Sequence, residues 1–218
     1  MSYRIADRLL TLGAIAGIVG GVAPWIPHRA AGLNIGGFAL FESSKFLPLV
    51  RSGEVPLWRE AFLLPLLTMA VLLATSTAIL AAQSRPRRWI LPLIAAPIAL
   101  AALPPYPAIL TAHQNPEYQG QLLLALAALS FILAGPWIHH LPRPSHSILA
   151  VLFVLGGLVP ALLNLARVRP LFARLYDAPV GIGWGTGIYL LGCVMVLAGV
   201  ILAETAKRPA IDAGLFAL

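Results

Sequence analysis

The sequence predicts an all-α, polytopic integral membrane protein: a bundle of six transmembrane helices with a short interfacial or re-entrant helix between the first two. Of its 218 residues, 59% are hydrophobic and 11% are charged, and the mean hydropathy is +0.86. A soluble domain is typically about 25% charged. The apolar residues also come in near-continuous runs of about 20, the length that a helix needs to cross the hydrocarbon core of a bilayer.

Six apolar segments qualify as transmembrane helices within a single membrane domain, residues 1–218. Their predicted bounds are 9–26, 61–82, 89–103, 122–138, 147–166 and 185–206. The first follows Arg4 and Arg8, as the apolar part of a signal peptide would. It ends in PWIPH without a small-x-small cleavage pattern, so we expect a retained helix.

The third segment is the shortest, and it contains Pro92 and Pro97. Each proline removes a backbone hydrogen bond, so neighbouring helices must satisfy the freed carbonyl groups. The tryptophans support the helix bounds, because all five fall at or beyond a predicted helix end, where an amphipathic ring favours the membrane–water interface. They are Trp25, Trp58, Trp89, Trp137 and Trp184.

The charge distribution predicts the topology. The net charge is +7, and the basic residues lie mainly between apolar runs, so we assign them to lipid headgroups and topology and not to nucleic acid. Arg85, Arg87 and Arg88 lie in the second connection, whereas residues 104–121 contain no Lys or Arg. Placing the basic connection and both termini in the cytoplasm satisfies the positive-inside rule and predicts a multi-pass protein of the cell membrane.

One basic segment conflicts with this topology. Arg167, Arg169 and Arg174 would lie outside, in the connection after the fifth helix. Either Asp177 and the acidic residues of the first connection pair with them, or the last two helices are arranged differently.

Two patterns bear on helix packing. Gly13, Gly17 and Gly21 recur at every fourth position of the first helix, and such a ridge lets another helix backbone approach closely. The partner helix is either in the same chain, which we favour, or in a second protomer. In addition, APWIPH (23–28) and GPWIHH (135–140) lie three helices apart. They are either an inverted 3+3 repeat, as in many secondary transporters, or the same interfacial chemistry used twice.

The sequence contains no catalytic, nucleotide or metal signature, and it predicts no cofactor. The histidines lie near predicted helix ends, so a pigment or haem site that uses His28 or His139 is a minor alternative. The hydroxyl groups of residues 75–77 (Thr-Ser-Thr) are expected to bond to helix carbonyls. Asn164 and Glu204 are the polar residues closest to membrane depth, and both are expected to be solvated at an interface.

The candidate sites for a partner or ligand are charged residues on the outer side. Glu42, Lys45 and Arg59 come from the first connection, and Arg167, Arg169 and Asp177 come from the fifth. Glu42 and Lys45 are spaced to pair within the interfacial helix, predicted at 37–50. Exposed ion pairs typically contribute less than about 1 kcal/mol, so stability alone does not explain this cluster.

Three functions remain open. The leading hypothesis is a non-catalytic membrane subunit or scaffold, surrounded by lipid, that docks a protein partner or a second copy through its outer face. The second is a small transporter or permease component. The third is a membrane enzyme acting on lipid, in which Glu42 and Arg59 would meet Arg167 or Arg169 at a cavity.

Overall fold

The computed structural model of the chain is mostly helical, and it describes residues 2–28, 30–79, 85–111, 114–138 and 140–206. In chain order the regular elements are α1 (Ser2–Val22), β1 (Pro24–Ile26), β2 (Ile35–Gly36), α2 (Leu40–Ser43), α3 (Pro48–Arg51), α4 (Leu64–Ile79), α5 (Arg85–Ala101), α6 (Ala108–Thr111), α7 (Pro116–Ile138), α8 (Arg143–Leu175) and α9 (Trp184–Thr205). Three 3₁₀ turns add Ala31–Leu33, Ser44–Phe46 and Arg59–Phe62.

Four helices in the described residues are long and apolar enough to cross a membrane. They are Tyr3–Val22, Pro116–Ile138, Pro144–Leu175 and Trp184–Thr205. Helix α4 is apolar but shorter, and α5 has 17 residues with two internal prolines. The all-α class and a membrane location are therefore supported by length and composition.

The six long helices of the described chain alternate in direction. Three contacts join helix ends far from the first connection. The starts of α1 and α5 meet through Asp7 Oδ2 and Arg87 Nη1 at 2.5 Å. The start of α5 and the end of α7 meet through the rings of Trp89 and Trp137 at 5.6 Å, and the start of α8 and the end of α9 meet through Ser147 Oγ and Glu204 Oε1 at 2.6 Å. We call this end the basic end. Residues 23–28, 30–63, 102–111, 114–115 and 176–183 lie at the opposite end.

Helix α4 is the centre of the bundle. It packs against α1, α5, α7 and α8, and every residue from Pro65 to Thr77 is buried. A helix that is apolar on all sides is expected in such a position. Thr75 Oγ1 donates to the Val71 carbonyl and Ser76 Oγ to the Leu73 carbonyl, both at 2.9 Å, which confirms the expected back-bonding of these hydroxyl groups.

The closest helix contact joins α1 and α9. A Cβ atom added at Gly13 would lie 2.9 Å from the Gly192 carbonyl oxygen, and one added at Gly192 would lie 2.5 Å from the Gly17 amide nitrogen. A Cβ at Gly17 would instead meet Met69 of α4, and Gly21 faces Leu66 of α4. In this structure, the helices that pack on the three glycines therefore belong to the same chain.

The α9 side of this contact has its own sequence signal. Gly185, Gly192 and Gly199 are spaced seven residues apart, which places them on one helix face, and each lies against α1 or the residue after it. Gly20 of α1, which the every-fourth-residue ridge omits, lies against Tyr189. A search for the seven-residue period would have identified this face of α9 as a close-packing face, although not its partner.

Two predicted helices end or break earlier than expected, for physical reasons. The first helix ends at Val22, because Pro24–Ile26 forms a strand that pairs antiparallel with Ile35–Gly36. The predicted helix 37–50 is instead α2, a 3₁₀ turn and α3. The break falls at Leu47, whose ψ of 126° is extended, because the residue before a proline is disfavoured in the helical region.

Helix α8 is longer than predicted and reaches Leu175 instead of 166. Its hydropathy falls at Arg167 and Arg169, but Val168 and Phe172 remain buried and continue the packed face of the helix. The arginines assigned to a connection therefore lie on a helix.

Candidate functional site

The described residues between α1 and α4, 23–28 and 30–63, fold into a compact structure that we call the cap. Adjacent antiparallel helices are usually joined by about 2–8 residues, whereas this connection has about 40. The cap has buried apolar side chains of its own, each at most 2% exposed: Trp25, Ile26, Leu40, Phe41, Leu47 and Phe62. It is therefore an ordered part of the fold, beyond what chain closure requires.

Trp25 anchors the cap to the bundle. Its Nε1 donates to the Gly20 carbonyl at 2.8 Å, its ring lies 5.7 Å from that of Tyr189, and its carbonyl accepts from the Gly183 amide at 2.9 Å. Trp25 is fully buried, so packing on the bundle, and not contact with lipid headgroups, accounts for its position after the end of α1. The other four tryptophans are 50–60% exposed at helix ends.

A charged cluster links the cap to α7. Lys45 pairs with Glu42, as their spacing predicted, and its Nζ lies 3.8 Å from Glu117 Oε1. Arg59 Nη1 lies 3.7 Å from the same Glu117 oxygen, and the Arg59 guanidinium lies 5.6 Å from the Phe41 ring centroid. The predicted residues Glu42, Lys45 and Arg59 are thus brought together.

The sequence analysis missed Glu117, on which both cations converge. It lies in the first turn of α7, where an acidic side chain is common because it favours the helix N-terminus. That pattern carries no information about a partner more than 50 residues away in the chain. Only the packing of the cap on α7 assigns the partner.

The electrostatics of this cluster are mild. The hydrogen bond to Glu42 raises the pKa of Lys45, burial opposes the rise, and the charges of Glu42 and Glu117 add to it. Glu117 is 43% exposed and its two contacts are long, so each pair contributes less than about 1 kcal/mol. The cluster therefore joins the cap to α7 while contributing little to the stability of the fold.

The second predicted group lies on or just after α8. Arg169 Nε donates to the Val180 carbonyl at 2.6 Å, Arg167 is exposed, and Asp177 follows the helix with a φ of 47°. Among the described residues, no ion pair joins these three side chains to one another or to the Glu42 cluster. The structure therefore does not bring the two predicted groups together, and Asp177 does not neutralise the arginines.

The cap also contacts α8 through buried and aromatic groups. Asn164 Nδ2 donates to the Trp58 carbonyl at 3.1 Å, and Tyr176 Oη donates to the Leu33 carbonyl at 3.1 Å. Asn164 is 3% exposed, so its expected solvation was wrong: α8 continues past it and the cap covers it. Glu204 accepts a hydrogen bond from Ser147 and is partly buried.

Hydroxyl groups inside the bundle form a second polar feature. Thr68 Oγ1 donates to the Leu64 carbonyl at 2.7 Å, and the Tyr189 hydroxyl lies beside Gly157. A Cβ at Gly157 would lie 2.8 Å from the Tyr189 oxygen, so this glycine leaves room for the phenol. Tyr189 is fully buried.

The histidines do not form a metal site in the described part of the chain, where no three His, Cys, Asp or Glu side chains are grouped to hold an ion. The His28 Nδ1 accepts from the Ala30 amide at 3.0 Å, and its ring lies 4.6 Å from that of Tyr176. His139 lies outside the described residues. No protein-family model matches the chain, and no curated protein or solved structure is significantly similar to it.

Proposed function

We propose that this chain is a six-span integral membrane subunit or scaffold that docks a protein partner through its capped end. Helices α4 and α5 are the two additional spans. They run antiparallel between helices long enough to cross a bilayer, and α4 is enclosed by protein, so it needs no full-length lipid-facing surface. The feature that carries the proposal is the cap.

A folded cap is a suitable platform for a partner. Binding residues are commonly held on connecting segments that a rigid scaffold positions. The cap presents Phe46, which is 73% exposed and has Lys45 Nζ 5.3 Å from its ring centroid, and Trp58, which is 50% exposed; its charged residues Glu42 and Arg51 are also exposed. Aromatic anchors with a polar rim are typical of protein interfaces.

The proposed topology places both termini in the cytoplasm and the cap outside the cell membrane. Arg4, Arg8, Arg87 and Arg88 gather at the basic end, as the positive-inside rule requires. The test uses Cys193→Ala chains with Ser52→Cys in the cap or Thr205→Cys at the basic end. In intact cells, a membrane-impermeant maleimide should label the first variant only, and the reverse pattern would overturn the topology.

Partner docking is tested by photocrosslinking in native membranes. A photoreactive phenylalanine analogue at position 46 should give one discrete adduct, whereas the matched position Leu93, which is 72% exposed on α5, should give only lipid adducts. The adduct mass separates a second copy from a different protein. Equal adduct patterns at the two positions, or none at position 46, would refute docking at the cap.

Transport is the second candidate, because Thr68, Tyr189 and Asn164 place polar groups inside the bundle. The inverted 3+3 repeat gains no support, however. In such a repeat α7 and α8 would correspond to α1 and α4, yet α1 packs closely along α4, whereas α7 and α8 meet mainly through Phe131 and Phe153, with ring centroids 5.2 Å apart. If the protein docks a partner, Tyr189→Phe should leave the adduct at position 46 unchanged. If Tyr189→Phe keeps its fold but loses solute flux into reconstituted vesicles, transport is favoured instead.

The third hypothesis, a lipid-acting enzyme, required Glu42 and Arg59 to meet Arg167 or Arg169. Arg59 pairs with Glu117 and Arg169 binds the Val180 carbonyl, and among the described residues no ion pair joins the two groups, so nothing supports the charged cluster that this reaction would need. We therefore place this hypothesis last.

A further inference from the structure

A cleft lies between the cap and the C-terminal part of α8. Its lining is Leu47, Pro48, Leu49, Leu171, Arg174 and Leu175, and its volume is about 330 Å³. Ligand pockets in proteins have volumes of about 300–1,000 Å³. The walls are apolar except for one guanidinium group, so the matching ligand is an amphiphile with an apolar chain and an anionic group.

The level of the cleft in the bundle matches the lipid headgroup region. Asn164 is bonded to the Trp58 carbonyl at the base of the cap, so the residues of α8 beyond it run beside the cap. Trp58 and Trp184, both at least half exposed, mark the same end, and exposed tryptophan favours the membrane–water interface. A lipid with its headgroup at this level would have its acyl chains directed along the bundle.

Arg174 is available to an anion. It is exposed, and no acidic side chain of the described residues lies within ion-pair distance of it, although Asp177 follows three residues later. Arg167 lies seven residues earlier, on the same helix face and about 10 Å along the axis. Arg51 ends the short helix that forms the opposite wall. A guanidinium group suits phosphate because its donors form a planar fork.

We propose that the cleft binds one anionic phospholipid, with an acyl chain against Leu47, Leu171 and Leu175 and the phosphate against Arg174. The proposal explains why arginines lie at the end opposite the basic end: they bind lipid phosphates at the interface. It does not depend on which protein, if any, binds the cap.

The test measures lipid binding by native mass spectrometry of the purified full chain titrated with phosphatidylglycerol. The wild type should hold one phosphatidylglycerol more tightly than phosphatidylcholine. Arg174→Gln should weaken phosphatidylglycerol binding about tenfold, which corresponds to about 1.4 kcal/mol, because the phosphate loses a charge-assisted hydrogen bond. Arg8→Gln, an exposed cation at the basic end, is the matched control and should have no effect.

A second pair of variants tests the acyl-chain part of the cleft. Leu175→Trp should fill it and abolish the bound lipid, whereas Leu93→Trp, on the exposed face of α5, should not. Unaltered thermal unfolding of each variant shows that the fold is retained.

Three outcomes would overturn the proposal. Full competition by glycerol phosphate would show that the headgroup alone binds. Unchanged lipid binding by Leu175→Trp, together with dissociation of a dimer or complex, would assign the cleft to a protein. Binding of phosphatidylglycerol by Arg174→Gln as tight as that of the wild type would show that Arg174 does not hold the phosphate.

Discussion

The contact between α1 and α9 gives the sharpest stability prediction, tested by Gly192→Ala. The added methyl group would lie 2.5 Å from the Gly17 nitrogen, 2.6 Å from the Gly13 oxygen and 2.9 Å from the Gly17 Cα. Carbon contacts are optimal at about 3.5–4.0 Å, so the helices must separate by about 1 Å. All three obstacles are backbone atoms, which cannot rotate away as a side chain would.

The magnitude follows from two opposing effects. Overpacking a tight contact typically costs about 1–3 kcal/mol. Replacing glycine by alanine within a helix stabilises the folded state by about 1 kcal/mol, because alanine loses less backbone entropy and has a higher helix propensity. The matched control is Gly187→Ala on the same helix, where nothing lies within 4 Å of the new Cβ. The difference between the two variants therefore isolates overpacking, at about 2 kcal/mol.

The assay uses the only cysteine of the sequence. Cys193 is 2% exposed beside this contact, so a fluorogenic maleimide reports both unfolding and separation of α1 from α9. A change of 1 kcal/mol shifts Tm by about 2–4 °C in a protein of 150–250 residues, so Gly192→Ala should melt about 4–8 °C below Gly187→Ala. Equal melting temperatures and equal thiol reactivity of the two variants would refute close α1–α9 packing.

Three further predictions concern the cap. Trp25→Phe should destabilise the protein by about 2 kcal/mol, because it leaves the buried Gly20 carbonyl without its donor. The control Trp184→Phe, at an exposed ring, should change Tm little. Equal shifts in Tm for the two variants would contradict the anchoring role of Trp25. Glu117→Gln should lower Tm by no more than about 2–3 °C, since its ion pairs are long and exposed. It should nevertheless increase amide exchange in the cap. Unchanged exchange would show that the cluster does not orient the cap. The pKa of Lys45 is raised on folding, so the stability that its ion pair contributes is complete below the unfolded pKa of 10.5 and is lost as the pH rises through the folded pKa. Amide exchange in the cap, corrected for intrinsic rates, should therefore be constant from pH 6 to 9 and increase only above pH 10.5. A transition near neutral pH would contradict this.

The sequence by itself determined the class of the protein and the approximate position of its long helices. These follow from local quantities: runs of apolar residues, few charges and tryptophans at helix ends. Local geometry also sufficed for the Glu42–Lys45 pair, three residues apart, and for the back-bonding of Thr75 and Ser76. It could not show that the helix at 37–50 breaks before Pro48, because the apolar pattern continues through the break.

Tertiary structure decided the features that depend on contacts between distant segments. Glu117 joins Lys45 and Arg59 only because the cap folds onto α7, and Asn164 is buried only because α8 continues beneath the cap. Burial of Trp25 could not be read from its position at a helix end, since its partners are Gly20 and Tyr189. Apolar periodicity gives the location of a helix in the chain, but which faces meet is set by packing over the whole bundle.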